Sequence, residues 1–98
     1  MFDKMKQLME MQKKMQEVKR ELENTNFEVS SSDGLFKVTM NGAQAVKGVS
    51  IQGDLTSIDK SSLEKSAQDA YNRAIKRSHD LAAEKMKSVT GFNIPGLT

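Results

Sequence analysis

Side chains able to do catalytic or metal chemistry are few in this sequence. It has one His, one Tyr, no Trp and no Cys. The single His, His79, stands alone in a charged stretch, and Asp54 and Asp59 flank a turn, where Asp is favoured for turn and capping reasons. A catalytic centre needs a base, an orienting group and a concave site. We therefore expect no catalytic residues, no metal site, no cofactor and no small-molecule substrate, and the protein is predicted not to be an enzyme.

The glycines also give no sign of a phosphate-binding loop. Gly34, Gly42, Gly48 and Gly53 are spread over predicted strands and turns, and the spacings of the dinucleotide-binding and Walker loops are missing. Local backbone geometry explains these glycines.

Basic residues offer another kind of chemistry, the binding of a polyanion. Lys and Arg number 15 against 13 Asp and Glu, which gives a net charge of +2 and a pI near 8.9. Acidic residues are mixed among the basic ones on both predicted helices, and such faces are usually solvated and laced with local ion pairs. Composition therefore permits contacts to phosphates and leaves a plain solvated surface open.

The first element is a predicted helix over residues 2–24, which contains no Gly or Pro and is rich in Met, Lys, Gln, Glu and Leu. Apolar residues recur in it at alternating spacings of three and four, as in a coiled-coil seam. Met5 and Met9 widen the apolar side near its start. The seam residues are Leu8, Met11, Met15, Val18 and Leu22.

Three strands are predicted between about residues 26 and 52. Phe27 and Val29 alternate with polar residues, and residues 31–34 (SSDG) have the composition of a turn. Asn41-Gly42 indicates a tight hairpin in which both residues have positive φ. Gly48 interrupts the third strand and indicates a bulge. The strands are predicted to form a three-stranded antiparallel sheet.

A second helix is predicted over about residues 60–88. Ser61 with Glu64 has the spacing of a capping box, Asp59 is the alternative N-cap, and Gly91 is the predicted stop. Residues 1–91 are therefore predicted to form a single domain, and residues 92–98 a flexible C-terminal tail.

The predicted order is α-β-β-β-α, an α+β fold with two long helices flanking the sheet. A helix of residues 2–24 would extend about 35 Å, further than a three-stranded sheet can cover. The outer apolar stripes must be buried against something, and a second copy of the chain is the simplest partner. We expect a homodimer, with the five seam residues at its interface.

The chain has no apolar run long enough for a membrane span or a signal peptide, and it has no Cys. An intracellular protein with no membrane partner is expected.

Four segments together resemble the YbaB/EbfC family of bacterial nucleoid-associated proteins. They are residues 34–42 (GLFKVTMNG), 46–51 (VKGVSI), 9–16 (MEMQKKMQ) and 70–74 (AYNRA). The resemblance spans nearly the whole chain. It implies a tweezer-like homodimer whose projecting helices contact duplex DNA in the cytoplasmic nucleoid, without catalysis, and which organises the nucleoid or modulates transcription.

With that resemblance, eight basic helix residues become the candidates for contacts to DNA phosphates. They are Lys13, Lys14, Lys19, Arg20, Arg73, Lys76, Arg77 and Lys87. The alternative is a helical protein-interaction module, in which a Met-rich groove between the projecting helices holds an amphipathic partner.

Overall fold

A long N-terminal helix opens the fold. The computed structural model describes residues 2–90, and helix α1 covers Phe2–Glu23. Two hydrogen bonds end it: Thr25 Oγ1 donates to the Glu21 carbonyl at 2.6 Å and the Asn24 N–H to the Arg20 carbonyl at 3.1 Å. The predicted helix over 2–24 is therefore present and one residue shorter.

Strands β1 (Asn26–Ser30), β2 (Phe36–Asn41) and β3 (Val46–Ile51) form an antiparallel sheet in the order β1-β2-β3. Val38 of β2 lies opposite Val29 of β1 and Val49 of β3, so these three side chains share one face. The other face is polar and carries the Lys37–Glu28 ion pair at 3.7 Å. The predicted meander is present, with one face for a helix and one for solvent.

The β2–β3 hairpin differs from its predicted form. Strand β2 continues through Asn41, four residues form the loop, and the positive φ lies at Gln44 (68°) rather than at Asn41 or Gly42. The tight turn predicted at Asn41-Gly42 was therefore wrong, because those residues serve the junction with α1. The bulge was placed correctly: Thr39 pairs with Gly48 and Met40 with Val46, so Lys47 is the extra residue.

Helix α2 covers Lys60–Thr90 and begins after Asp59, whose carboxylate accepts the Ser62 N–H at 3.1 Å. Asp59 is therefore the N-cap, as the second of the two predicted capping schemes has it. The predicted stop at Gly91 and the predicted tail, residues 92–98, lie outside the described residues.

Helix α2 runs parallel to β2. Ser66 donates to Asp33 in the turn before β2, and Ser78 Oγ donates to the Gly42 carbonyl after it, at 2.9 Å. Between these points Ala70 and Ala74 pack on Val38 and Met40, and all four are buried. The small alanines let the helix lie close to the sheet, so the core sits between α2 and β2.

Beyond the sheet, α2 packs on the C-terminal half of α1. Val18 is only 3% exposed, Leu81 of α2 is buried, and Lys85 pairs with Glu21 at 3.2 Å. The N-terminal half of α1 projects past this contact, and we call residues 3–14 the arm; every one of its residues is exposed. The molecule is elongated, 67 × 23 × 16 Å. Neither α1 nor α2 combines the length and the hydropathy that a bilayer span would need, within the described residues.

Candidate nucleic-acid interface

The candidate residues of α2 lie on one flank of that helix. Asp69 accepts the Ser32 N–H at 2.8 Å, just past the end of β1, so its side of α2 lies toward β1. Successive residues of a helix are 100° apart around its axis. Tyr71 and Ile75 therefore lie on the side of α2 opposite Asp69, above β3. We call Arg73, Lys76, Arg77 and Lys87 the basic flank; all four are exposed and lie between the β1 side and the outer face.

Arg73 is held in place by an acid on the same flank. Its Nε donates to Asp69 Oδ1 at 3.1 Å, one turn away. The Ser32 N–H and then the Arg73 guanidinium hold the pKa of Asp69 below its ordinary value. Asp69 is therefore ionised at neutral pH, and it both orients Arg73 and partly offsets its charge.

The β1–β2 turn beneath this flank is fixed by Asp33. Its carboxylate accepts from the Ser31 hydroxyl at 2.6 Å, the Leu35 N–H at 3.0 Å and the Ser66 hydroxyl. The hydroxyls of Ser31 and Ser66 and the Leu35 N–H lower the pKa of Asp33 from 3.8 to about 2. Sequence reasoning assigned this segment to a turn but missed its link to α2, because Ser66 lies 33 residues away.

A shallow depression of about 180 Å³ opens beside this network, between Ser32, Asp33, Lys65, Ser66 and Asp69. Its two carboxylates already accept hydrogen bonds from the chain, and their charge disfavours a phosphate. We therefore assign the depression to the joint between turn and helix rather than to a ligand.

The candidate residues of α1 are also exposed but point in other directions. Val18 and Leu22 face α2, and Lys13 and Arg20 lie on the opposite side of the helix. Lys14 and Lys19 lie on its two flanks. One chain therefore does not bring all eight basic residues into a single patch. Within residues 2–90, Arg73 is the member of the set that forms an ion pair with an acidic side chain.

The structure divides the predicted α1 seam into two parts. Val18 is buried, and Met15 and Leu22 are half-buried, on the side of α1 that faces α2. Leu8 and Met11 continue the same stripe into the arm and are exposed, Leu8 by 67%. The seam thus serves the packing of a single chain at one end, and its role between two chains stays a prediction.

His79 and Asp54, which were considered from the sequence, do not belong to a cluster of catalytic or metal-binding side chains within residues 2–90. His79 is exposed on α2. Asp54 accepts the Thr56 N–H at 2.9 Å within its own turn, and that bond lowers its pKa. Within residues 2–90, no group of three or more His, Asp or Glu side chains is placed to hold a metal ion.

Comparisons with known proteins bear on both the family and the fold of this chain. The model of the YbaB/EbfC DNA-binding family matches residues 1–92. The fold is similar to the crystal structure of an uncharacterized protein from Helicobacter pylori, with a TM-score of 0.71 and 21% sequence identity. That match covers 93% of this chain and 94% of the other, so the two share the fold over nearly their full lengths.

Proposed function

Because the chain belongs to the YbaB/EbfC DNA-binding family, we propose that it forms a homodimer that binds duplex DNA through phosphate contacts from its basic helix faces. Membership supports the coarser statement, a nucleoid-associated protein with DNA as its partner. It also suggests a protein without catalytic activity. Organisation of the nucleoid or modulation of transcription, and residence in the cytoplasmic nucleoid, belong to the proposal.

The observation that carries the proposal is the exposure of the eight basic candidates on an elongated body. Seven of them have no acidic partner within the described residues, so their charges are available to phosphates. Lys and Arg that replace counterions along a duplex give affinity with little dependence on base sequence.

A homodimer fits the same surface. One chain carries basic residues on different sides of α1 and α2, and a second copy doubles each set. Two chains can then engage one duplex at separated points, which a single chain with these divided charges does less well.

A salt titration tests the proposal directly. Binding of random and genomic duplexes is measured by gel shift at several salt concentrations. If about five to seven phosphates are engaged, log affinity falls against log salt with a slope of about −4 to −6. Absence of duplex binding in dilute buffer overturns the proposal.

The alternative function is a helical protein-interaction module, and the exposed arm favours it. Met5 and Met9 are both more than 60% exposed there, and an open depression of about 300 Å³ lies against Lys4, Gln7, Leu8 and Met11. Thioether side chains adapt to varied apolar partners. Such a module binds an amphipathic helix with little salt dependence and shows no affinity for duplex DNA at low salt.

A further inference from the structure

The loop between β2 and β3 begins with a reactive dipeptide, Asn41-Gly42, the one Asn-Gly pair in the sequence. In an Asn-Gly pair the asparagine side chain reacts readily with the next backbone nitrogen, because glycine has no side chain to hinder the approach. Such pairs usually lie in surface turns. Here Asn41 is only 3% exposed, and Gly42 is buried as well. A pair with high intrinsic reactivity is therefore placed inside the fold.

The reaction needs only the chain and water. The Gly42 nitrogen gives up its proton and forms a bond to Cγ of Asn41, while the bond from Cγ to Nδ2 breaks. The side-chain nitrogen takes up that proton and leaves as ammonia. Water then opens the five-membered succinimide ring. Attack of water at Cγ gives aspartate, and attack at the backbone carbonyl carbon gives isoaspartate, in which the chain continues through the side chain.

The folded chain holds the side chain of Asn41 with three hydrogen bonds. Its Nδ2 donates to the Glu23 carbonyl at 3.1 Å, and its Oδ1 accepts the N–H of Ala43 at 3.0 Å and of Ala45 at 2.9 Å. Turning Cγ toward the Gly42 nitrogen would break these bonds at a site where water does not replace them. The bonds therefore keep the amide in an unreactive orientation.

The attacking nitrogen is held as well. The Gly42 N–H donates to the carbonyl oxygens of Leu22, at 2.9 Å, and Thr25, at 3.0 Å. The Gly42 carbonyl accepts from Ser78 Oγ at 2.9 Å, which fixes the other side of the residue. A buried and hydrogen-bonded amide exchanges its proton only when the structure around it opens. The nitrogen is therefore not available for attack in the closed structure.

We propose that Asn41 is a latent deamidation site, which reacts only when the end of α1 separates from the β2–β3 loop. We call the contact of Asn41 and Gly42 with residues 22–25 the α1 joint. The leaving nitrogen and the attacking nitrogen are both bonded to carbonyl oxygens of residues 22–25, so opening of the joint releases them together. The proposal does not depend on DNA binding or on a homodimer.

The products do not restore the α1 joint. An aspartate at position 41 has no N–H to donate to the Glu23 carbonyl, and its carboxylate would face that oxygen at a buried site. An isoaspartate lengthens the backbone by one carbon just before Gly42, where even a Cβ would lie 2.7 Å from Leu22 Cδ2. An opening that lasts long enough for reaction is therefore recorded permanently, and the altered chain holds α1 less firmly.

Peptide mapping measures the reaction. The full chain is incubated in mildly alkaline buffer, folded in one sample and unfolded by guanidinium chloride in the other. Trypsin then releases residues 38–47, in which Asn41 is the only asparagine, and chromatography with mass spectrometry separates its three forms. We expect conversion in the folded chain to be slower by roughly 100-fold or more. A folded rate within about threefold of the unfolded rate overturns the proposal.

Two variants test whether separation of α1 controls the rate. Val18→Ala weakens the packing of α1 at a buried position, and Leu8→Ala is the matched control at an exposed position of the same helix. We expect the folded-state rate at Asn41 to rise roughly tenfold for Val18→Ala and to stay within about twofold of wild type for Leu8→Ala. Equal rates in wild type and Val18→Ala overturn the proposal.

Circular dichroism checks that Val18→Ala is folded. If it is not, the wild-type chain at guanidinium concentrations below its unfolding transition takes its place. The reaction at Asn41 should then accelerate as the denaturant concentration rises, since opening of the α1 joint becomes more frequent. A rate that does not change with denaturant in this range overturns the proposal.

Asn41→Asp tests the effect of the product. Asn72→Asp is its control, because it makes the same change of charge at an exposed position of α2. We expect Asn41→Asp to lower the urea midpoint and to speed hydrogen exchange of the Gly42 N–H roughly tenfold or more, with little change in Asn72→Asp. Failure of Asn41→Asp alone to fold is the same result in a stronger form. Equal behaviour of the two variants overturns the claim that the products do not restore the joint.

Discussion

The backbone N–H of Gly42 donates to the carbonyl oxygen of Leu22 at 2.9 Å, which joins the β2–β3 loop to the last turn of α1. A Cβ at position 42 would lie 2.7 Å from Leu22 Cδ2 and 3.1 Å from the Leu22 carbonyl oxygen. Asn41 completes the joint, since its Nδ2 donates to the Glu23 carbonyl at 3.1 Å. Gly42 is therefore required by the close approach of α1.

Replacing Gly42 by Ala tests this requirement. The added methyl must displace the Leu22 side chain and part of the α1 backbone, and we expect a loss of about 1–3 kcal/mol in the free energy of unfolding. Gly48→Ala is the matched control, because nothing lies within 4 Å of a Cβ there. Urea denaturation measures both, and equal effects would contradict the assignment.

Stability in acid should depend on Asp33. Its pKa is about 2 in the folded chain against 3.8 ordinarily, so its contribution is complete above about pH 4 and is lost as the pH falls through 2. Asp33→Asn should lower Tm at pH 7 and flatten the fall of Tm between pH 4 and 2. Some fall should remain from Asp69, whose pKa is also lowered. A variant with the full wild-type slope would rule out this role of Asp33.

Substitutions in the buried and exposed parts of the apolar α1 seam should change the free energy of unfolding by different amounts. Val18→Ala removes methyl groups packed between α1 and α2 and should cost about 2 kcal/mol of unfolding free energy. Leu8→Ala, in the exposed part of the stripe, should change the unfolding free energy by less than about 0.5 kcal/mol. Thermal unfolding compares them. A large cost at Leu8 that grows with protein concentration would instead place the arm in a dimer interface.

Reversing two charges on the basic flank should weaken DNA binding uniformly. Arg73→Glu with Lys76→Glu is expected to reduce affinity for every duplex alike and to make the salt dependence shallower, with the dimer mass unchanged. Lys37→Glu with Lys60→Glu carries the same change in net charge at sites outside the candidate set. Gel shifts on several sequences compare the two. Loss on one sequence alone would indicate base contacts.

Neutralising the acid beside Arg73 should act in the opposite direction. Asp69→Asn keeps an oxygen that can accept the Ser32 N–H but removes the negative charge held 3.1 Å from Arg73. We expect a few-fold higher affinity for duplex DNA and a log–log salt slope steeper by up to about one. Unchanged affinity would mean that Arg73 does not contact phosphate.

The order of elements and most of their bounds followed from local patterns. These patterns depend on residues close in sequence. They are the apolar spacing of three and four in residues 2–24, the alternation at Phe27 and Val29, and the N-cap at Asp59. The Asn41-Gly42 pair shows where such patterns fail. Its composition is that of a tight turn, but the amide of Asn41 and the missing Cβ of Gly42 serve contacts with α1, about twenty residues earlier.

The candidate site was harder to predict from the sequence than the order of elements. The basic residues could be placed on helices, but the choice of flank depends on the bond from Ser32 to Asp69, which joins residues 37 apart. The third strand was predicted from its place in the meander. That prediction held no information on whether a helix of the same chain covers the strand, and α2 instead lies over the neighbouring strands β1 and β2.

The link between α1 and β1 is only two residues long, and both bond back to α1, Asn24 to Arg20 and Thr25 to Leu22. Gly42 and Asn41 bond to the same helix end, so α1 has no hinge where it joins the sheet. In a dimer of such chains, the position of each projecting α1 helix would be fixed within its own chain. The distance between the two helices would change only by rotation of one chain against the other. A DNA duplex too wide or too sharply curved to fit between the helices would have to deform or would not bind.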